Sequence, residues 1–211
     1  MSQEALFETH EAGGDEDFWP TPDDVTLLLK DVLPKHMLDS PRALVEPCAG
    51  IGMMASCVAT CVMLRCRQIL AYEVDPKRAA QASILLGSFD DATVHAGDFL
   101  KVGVRPGTSL PVLWVTNPPY SKPRRTIGEE IAVRCLELAG PHDVVAMLMP
   151  LDYATGAGRT ASLHRRFPGG YLYPLRTRPR FANGETGKRP VAWFVWDRGY
   201  TSLDPTWRVI G

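Results

Sequence analysis

Residues 112–120 read V-L-W-V-T-N-P-P-Y. An apolar, β-branched run that stops abruptly at Asn117, Pro118, Pro119 and Tyr120 predicts a buried strand whose carboxyl end opens into a rigid loop. In an open α/β sheet, that end of a strand is where ligands sit.

Working outward, the chain alternates strand-like and helix-like segments. Residues 43–46 form a short apolar strand running into Glu46-Pro47-Cys48-Ala49-Gly50-Ile51-Gly52, and residues 53–64 read as a helix. Glycines at a strand-to-helix turn let backbone approach a ligand closely. Residues 69–75 predict a second strand ending in Glu73 and Asp75, with Pro76 starting a helix to about Gly87. An acid at that strand end can accept ribose hydroxyls. Glu73 is the expected acceptor and Asp75 the helix cap, although the reverse stays open because the two are only two residues apart. Residues 92–100 predict a third strand ending Gly97-Asp98-Phe99. Upstream, Val25, Leu28, Leu29 and Val32 mark one face of a helix, with Thr21 as N-cap, Pro22 at its first position and Pro34 closing it. Downstream come a helix bearing Ile127, Ile131, Cys135 and Leu138, and a fifth strand over residues 143–150. Strands over 171–176 and 191–196 follow, the last pair antiparallel. This order predicts a Rossmann-like α/β fold: seven strands, mostly parallel with one antiparallel, and helices on both faces.

Composition agrees with one domain. At 211 residues, 45% hydrophobic and 22% charged, the chain can bury a sizeable core. Residues 1–15 read as an acidic disordered tail and 16–211 as the domain, with 16–110 its ligand-binding half and 111–211 its substrate-facing half. The longest nearly apolar run, 53–64, is too short for a bilayer, and the acidic N-terminus is unlike a signal peptide. A cytoplasmic protein with no membrane partner is expected. Five cysteines without a CxxC pair suggest neither a disulfide framework nor a metal site; Cys57 and Cys61 read as small buried residues.

An exocyclic amino group on a base or carboxamide is a poor nucleophile because its lone pair is delocalised. If the Asn117 side-chain oxygen and the Pro118 carbonyl both accept hydrogen bonds from that group, the lone pair becomes available. The prolines stiffen the loop, and the Tyr120 ring offers a surface for stacking. Such a site works by positioning and electrostatics.

N-P-P-Y in this place resembles the catalytic motif of class I S-adenosylmethionine-dependent amino-methyltransferases, above all small phage-type DNA adenine-N6 methyltransferases. The resemblance runs from Trp19 to Tyr200. It implies S-adenosylmethionine as cofactor, with Thr21 at the methionine carboxylate and Glu46 facing the ammonium. Gly50 and Gly52 would pass the ligand, with Cys48 replacing a small residue common in the family. Glu73 would take the ribose hydroxyls, Asp98 the adenine amino group, and Phe99 would flank the adenine ring. Standing alone, an Asp after Gly is more often a turn residue.

Residues 165–189 hold seven basic residues against Glu185. This segment is expected to contact DNA phosphates through Arg176, Arg178, Arg180, Lys188 and Arg189, helped by Lys122, unless it is simply a solvated loop. Phe181 is the candidate for stacking on an extruded base, whereas Trp193, Phe194 and Trp196 read as core. The expected activity is methyl transfer to adenine N6 in DNA. RNA adenine, cytosine N4 and a protein glutamine amide are the enzymatic alternatives, and a nucleic-acid-binding protein on a degenerate methyltransferase scaffold is the other.

Overall fold

The computed structural model describes residues 20–63, 65–120, 126–156, 163–168, 170–180, 189–199 and 208–211. The run leading into N-P-P-Y forms strand β4 (Val112–Thr116), buried along its whole length. It pairs in parallel with β1 (Arg42–Glu46) on one side and β5 (Val144–Pro150) on the other. Beyond β1 lie β2 (Cys66–Glu73) and β3 (Ala92–Ala96); beyond β5 lie β7 (Val191–Asp197) and β6 (Gly170–Pro174). The seven-stranded order is β3-β2-β1-β4-β5-β7-β6. Because β7 runs antiparallel to both β5 and β6, one reversed strand interrupts an otherwise parallel sheet, as the sequence predicts.

Central parallel strands covered on both faces read as unbroken apolar runs, and their alternate residues feed two cores. Leu113, Val115, Ala146 and Leu148 face Val25, Leu29, Met54 and Val58. Trp114, Val145, Met147 and Met149 face Ile127, Ile131 and Cys135 of α7 (Ile127–Leu138). Each fully buried Leu, Met or Val contributes about 1.5–3 kcal/mol relative to exposure. Trp193, Phe194 and Trp196 are core residues, and the Trp193 indole N–H donates to the Val25 carbonyl at 3.2 Å, tying the first helix to β7.

The N-terminal helix departs from its expected form. It consists of two short turns, α1 (Asp23–Leu27) and α2 (Leu29–Val32), meeting at Leu28. Pro22, not Thr21, is the N-cap, and no side chain caps α1. Pro34 excludes helical geometry for the residue before it, leaving Leu33 extended at φ −73°, ψ 141°. Pro34 then caps a further helix, α3 (Lys35–Asp39).

The helix expected over 53–64 is α-helical only as α4 (Met53–Cys57), and Val58–Val62 continue as a π-helix. Cys57 is buried there but Cys61 is exposed, so only the first fits its expected role. Past β2, Asp75 caps α5 (Pro76–Leu86) by accepting from the Lys77 and Arg78 amides. The third strand ends at Ala96, earlier than expected, because the Asp98 side chain caps a new helix, α6 (Phe99–Val102).

Candidate active site

The carboxyl ends of β1, β2 and β4, together with the loop after β3, surround a cleft of about 700 Å³. Glu46, Cys48, Gly50, Glu73, Asp98, Asn117, Pro118, Pro119, Tyr120 and Thr21 all line it. One concavity therefore gathers residues from both halves of the chain.

Glu46 is the last residue of β1 and is 2% exposed. It accepts from the Ala55 amide of α4 at 2.9 Å. Burial pushes its carboxyl well above the usual range; the Ala55 amide opposes this and the Glu73 charge adds to it. A buried carboxylate with so little support is suited to a cationic ligand.

Glu73 is also buried, but well supplied with donors. The Gly50 amide donates to Oε2 at 2.8 Å, while Oε1 accepts from the Asp75 amide at 2.9 Å and from Arg78 Nε and Nη2 at 3.2 and 3.0 Å. With Arg78 seated there, Oε2 is the better placed oxygen for a hydroxyl. Asp75 points away into the start of α5, where the Arg78 amide foremost holds its carboxyl below the usual range. The geometry thus puts Glu73 in the cleft and Asp75 at the helix cap.

Gly50 and Gly52 have positive φ, 54° and 87°. Only Gly50 lines the cleft. At Gly52 a Cβ would stand 3.3 Å from both Cα and Cβ of Ala82, so this glycine serves the approach of α5 to the turn. Cys48 carries a neutral thiol: burial pushes its pKa up, Glu73 pushes it further, and the Thr116 hydroxyl opposes.

Asp98 lines the cleft while its Oδ1 accepts from the Leu100 amide at 3.0 Å and its Oδ2 lies 3.6 Å from Lys101 Nζ. Phe99 lines the cleft beside Asp98. Its ring is 3% exposed and packs edge-on against Tyr72 and Trp114, with centroids 5.2 and 6.3 Å away. Capping by Asp98 turns the next side chain inward to the core. Val74, 66% exposed, and Leu100 line the cleft nearby. Val74 could have been noticed as the apolar residue between two acids at a strand end.

At the N-P-P-Y loop the Asn117 amide is held from two sides. Its Nδ2 donates to Thr21 Oγ1 at 3.0 Å, and its Oδ1 accepts from the Tyr120 hydroxyl at 2.5 Å. That hydroxyl also lies 3.3 Å from the Leu148 carbonyl. Burial, with Tyr153 nearby, pushes the phenol pKa up, so Tyr120 remains a donor. Tyr120 thus uses its hydroxyl as well as its ring.

Two further residues brace the loop and were missed in the sequence. Tyr153 donates to the Tyr120 carbonyl at 3.3 Å. On α7, a Cβ at Gly128 would stand 3.2 Å from the Pro119 carbonyl and from the Tyr153 hydroxyl, so a side chain there would press on both.

Arg176, Arg178 and Arg180 are exposed and follow β6 at the same end of the sheet as Asn117. Arg189 is exposed as well, with Nη1 3.8 Å from Asp152 Oδ2. Arg166, counted with this basic segment, pairs with Glu137 at 2.6 Å. Phe181, Lys188 and Lys122 lie outside the described residues. Among the described residues no His/Cys/Asp/Glu cluster could hold a metal ion, and no helix is long and apolar enough to cross a membrane.

The sequence matches no known family profile and no curated protein. Its structure is similar to a Listeria monocytogenes protein assigned to the class I S-adenosylmethionine-dependent methyltransferases. The TM-score is 0.73 at 13% identity, over 99% of this chain and 71% of that one. A type I restriction-modification methyltransferase subunit from Streptococcus thermophilus gives 0.72 at 14% identity, over 92% and 47%. The 23S rRNA methyltransferase ErmE gives 0.61 at 21% identity, over 89% and 72%. At these identities the likeness shows the fold, which is the Rossmann-like fold of class I methyltransferases.

Proposed function

We propose that this chain is an S-adenosylmethionine-dependent methyltransferase acting on the N6 amino group of adenine in DNA. The observation that carries the reading is that Asn117-Pro118-Pro119-Tyr120 shares one cleft with the buried acids Glu46 and Glu73. A ligand with an ammonium and a sulfonium suits such a cleft, because Glu46 has one amide donor against its burial.

Glu46 would hold the ammonium, Glu73 a ribose hydroxyl through Oε2, and Asp98 the adenine amino group, with Val74, Phe99 and Leu100 beside the ring. When bound, S-adenosylmethionine supplies a methyl group on sulfur that is a good electrophile without further activation. The protein then has to localise the lone pair of the target amine. Asn117 Oδ1, which accepts from Tyr120, would accept one amine hydrogen as well, and the Pro118 carbonyl would take the other. Extrusion of the base from the stack brings its amino group to these acceptors. Exposed Arg176, Arg178 and Arg180 would meet the phosphates, joined by Lys122, Lys188 and Arg189; Phe181 would stack on the extruded base.

Calorimetric titration with S-adenosylmethionine, followed by transfer of labelled methyl to DNA, RNA and glutamine-containing peptides, tests the reading. Cofactor binding with label in DNA adenine is expected. Label in RNA or peptide alone would transfer the substrate assignment, and absence of cofactor binding would overturn the enzyme reading in favour of a degenerate scaffold.

A further inference from the structure

An asparagine side chain can present either its oxygen or its nitrogen to a target, and only the oxygen can accept from an amine. The direction in which the Asn117 amide faces therefore decides whether N-P-P-Y works. Heavy-atom distances distinguish the two directions. The 2.5 Å contact with the Tyr120 hydroxyl fits O–H···O and is too short for N–H···O, whereas the 3.0 Å contact with Thr21 Oγ1 fits N–H···O. Tyr120 alone does not impose this choice. Its hydroxyl could instead accept from Nδ2 and donate to the Leu148 carbonyl 3.3 Å away.

The other partner is Thr21, 96 residues away in sequence and 5% exposed; its hydroxyl too can donate or accept, and in the observed direction it accepts from Nδ2. It is excused from capping α1, since Pro22 holds that position, and its hydroxyl is thereby available to the loop after β4. Thr21 also lines the cleft, as Asn117 does.

We propose that Thr21 is a positioning residue for the target amine: its hydroxyl takes the Asn117 Nδ2 hydrogen and so keeps Oδ1 as the acceptor offered to the substrate. This rests on the methyltransferase reading, and differs from a direct contact between Thr21 and cofactor. Without the hydroxyl, the amide loses this hydrogen bond and is held less firmly, so Oδ1 meets the target amine less often.

Three substitutions, two of them also combined, and one spectroscopic measurement test it. Thr21→Val, which keeps shape, lowers kcat by about tenfold or more, the scale for an outer partner of a working side chain, with cofactor Kd unchanged. Thr21→Ser restores kcat. In an Asn117→Asp background both side-chain oxygens accept, so adding Thr21→Val costs little further; a loss as large as in the parent overturns the proposal. A fall in cofactor affinity with unchanged kcat would also overturn it, leaving Thr21 as a cofactor contact only. The Asn117 side-chain amide, identified in ¹⁵N–¹H spectra by its loss in Asn117→Asp, reports on the same bond without turnover. Its resonances shift in Thr21→Val and return in Thr21→Ser; unshifted resonances in Thr21→Val overturn the proposal. If the spectra shift as expected while the parent methylates nothing, the methyltransferase reading fails and the hydrogen bond stands.

Discussion

The two ends of the sheet each bury a carboxylate, and they treat it differently. At the amino ends of β4 and β5, Asp143 is 1% exposed and fully supplied. Arg105 donates through Nε and Nη2 at 2.9 and 3.1 Å, the Val112 and Gly140 amides at 2.9 and 2.8 Å, and the Trp114 indole lies 3.4 Å away. Burial would raise its pKa, but Arg105 and the two amides together hold it below the usual range. At the carboxyl end of β1, Glu46 is as deeply buried and has the Ala55 amide, and its pKa is pushed up. Buried polar groups are normally satisfied. A saturated carboxylate is complete as it stands, whereas an under-supplied one marks where a ligand belongs.

Removing the saturated carboxylate should have the largest effect. Asp143→Ala leaves Arg105 and two amides without their partner, and breaking a buried pair costs about 3–5 kcal/mol. Urea denaturation should show that loss as a lower midpoint, while any folded fraction binds cofactor as the parent does. If the midpoint holds, saturation at this end is not what stabilises the sheet.

At the open end the damage should be functional. Asn117→Ala is expected to lower turnover by roughly 10²-fold or more, the scale for one oriented transition-state group, with cofactor Kd and urea midpoint close to the parental values. Equal turnover in mutant and parent would remove the catalytic role of Asn117.

Glu46→Gln sharpens the contrast between the acids. It should weaken cofactor binding by about 1.5–3 kcal/mol, as for a hydrogen bond to a charged group, and leave the ligand-free protein no less stable at neutral pH. The sign follows from the pKa directions. Asp143, lowered on folding, contributes stability above the unfolded pKa of about 3.9, and that contribution is lost as pH falls through the folded value. Glu46, raised on folding, is the opposite: its contribution is present below the unfolded value and lost as pH rises through the folded one. Urea midpoints measured against pH should therefore lose their decline on the higher-pH side in Glu46→Gln and keep their acid-side decline. An unchanged profile would mean that the Glu46 carboxyl is not strained by burial.

Much of this was legible from sequence where the signal is contiguous. The apolar run of β4 with its Asn-Pro-Pro-Tyr ending, the glycine turn after Glu46, and Glu73 beside Asp75 each carry their chemistry within a few residues. What escaped depends on tertiary contact or on competition between local rules. Thr21 looked like an N-cap because Thr before Pro usually is one; only the approach of Asn117 shows its other use. Phe99 was legible as a cleft residue, but its packing on Tyr72 and Trp114 follows from the helix that Asp98 caps. Gly128 and Tyr153 have no sequence signature, since their role is the closeness of α7 to a loop. Arg78 on Glu73 was equally hidden, because its partner comes from the preceding strand.

The smallest expected effect concerns arginines, which the two ends also treat differently. Arg105 is committed to Asp143 and to the Thr108 and Leu110 carbonyls at 3.0 and 3.2 Å, whereas Arg176 and Arg178 are exposed beside the cleft's end of the sheet. If the exposed pair meets DNA phosphates, replacing both with glutamine should flatten the dependence of log K on log salt by roughly 0.9 per lost contact, alike for all sequences. Folding should be untouched, because neither side chain is part of the core. Arg105→Gln should do the reverse, lowering the urea midpoint while leaving the salt slope of the folded protein as it was. Fluorescence anisotropy with a labelled duplex across a salt series measures both. A parental slope in the Arg176→Gln, Arg178→Gln double variant would make these residues solvated surface, and the phosphate contacts would have to come from Arg180, Arg189 or the basic stretch after Tyr120.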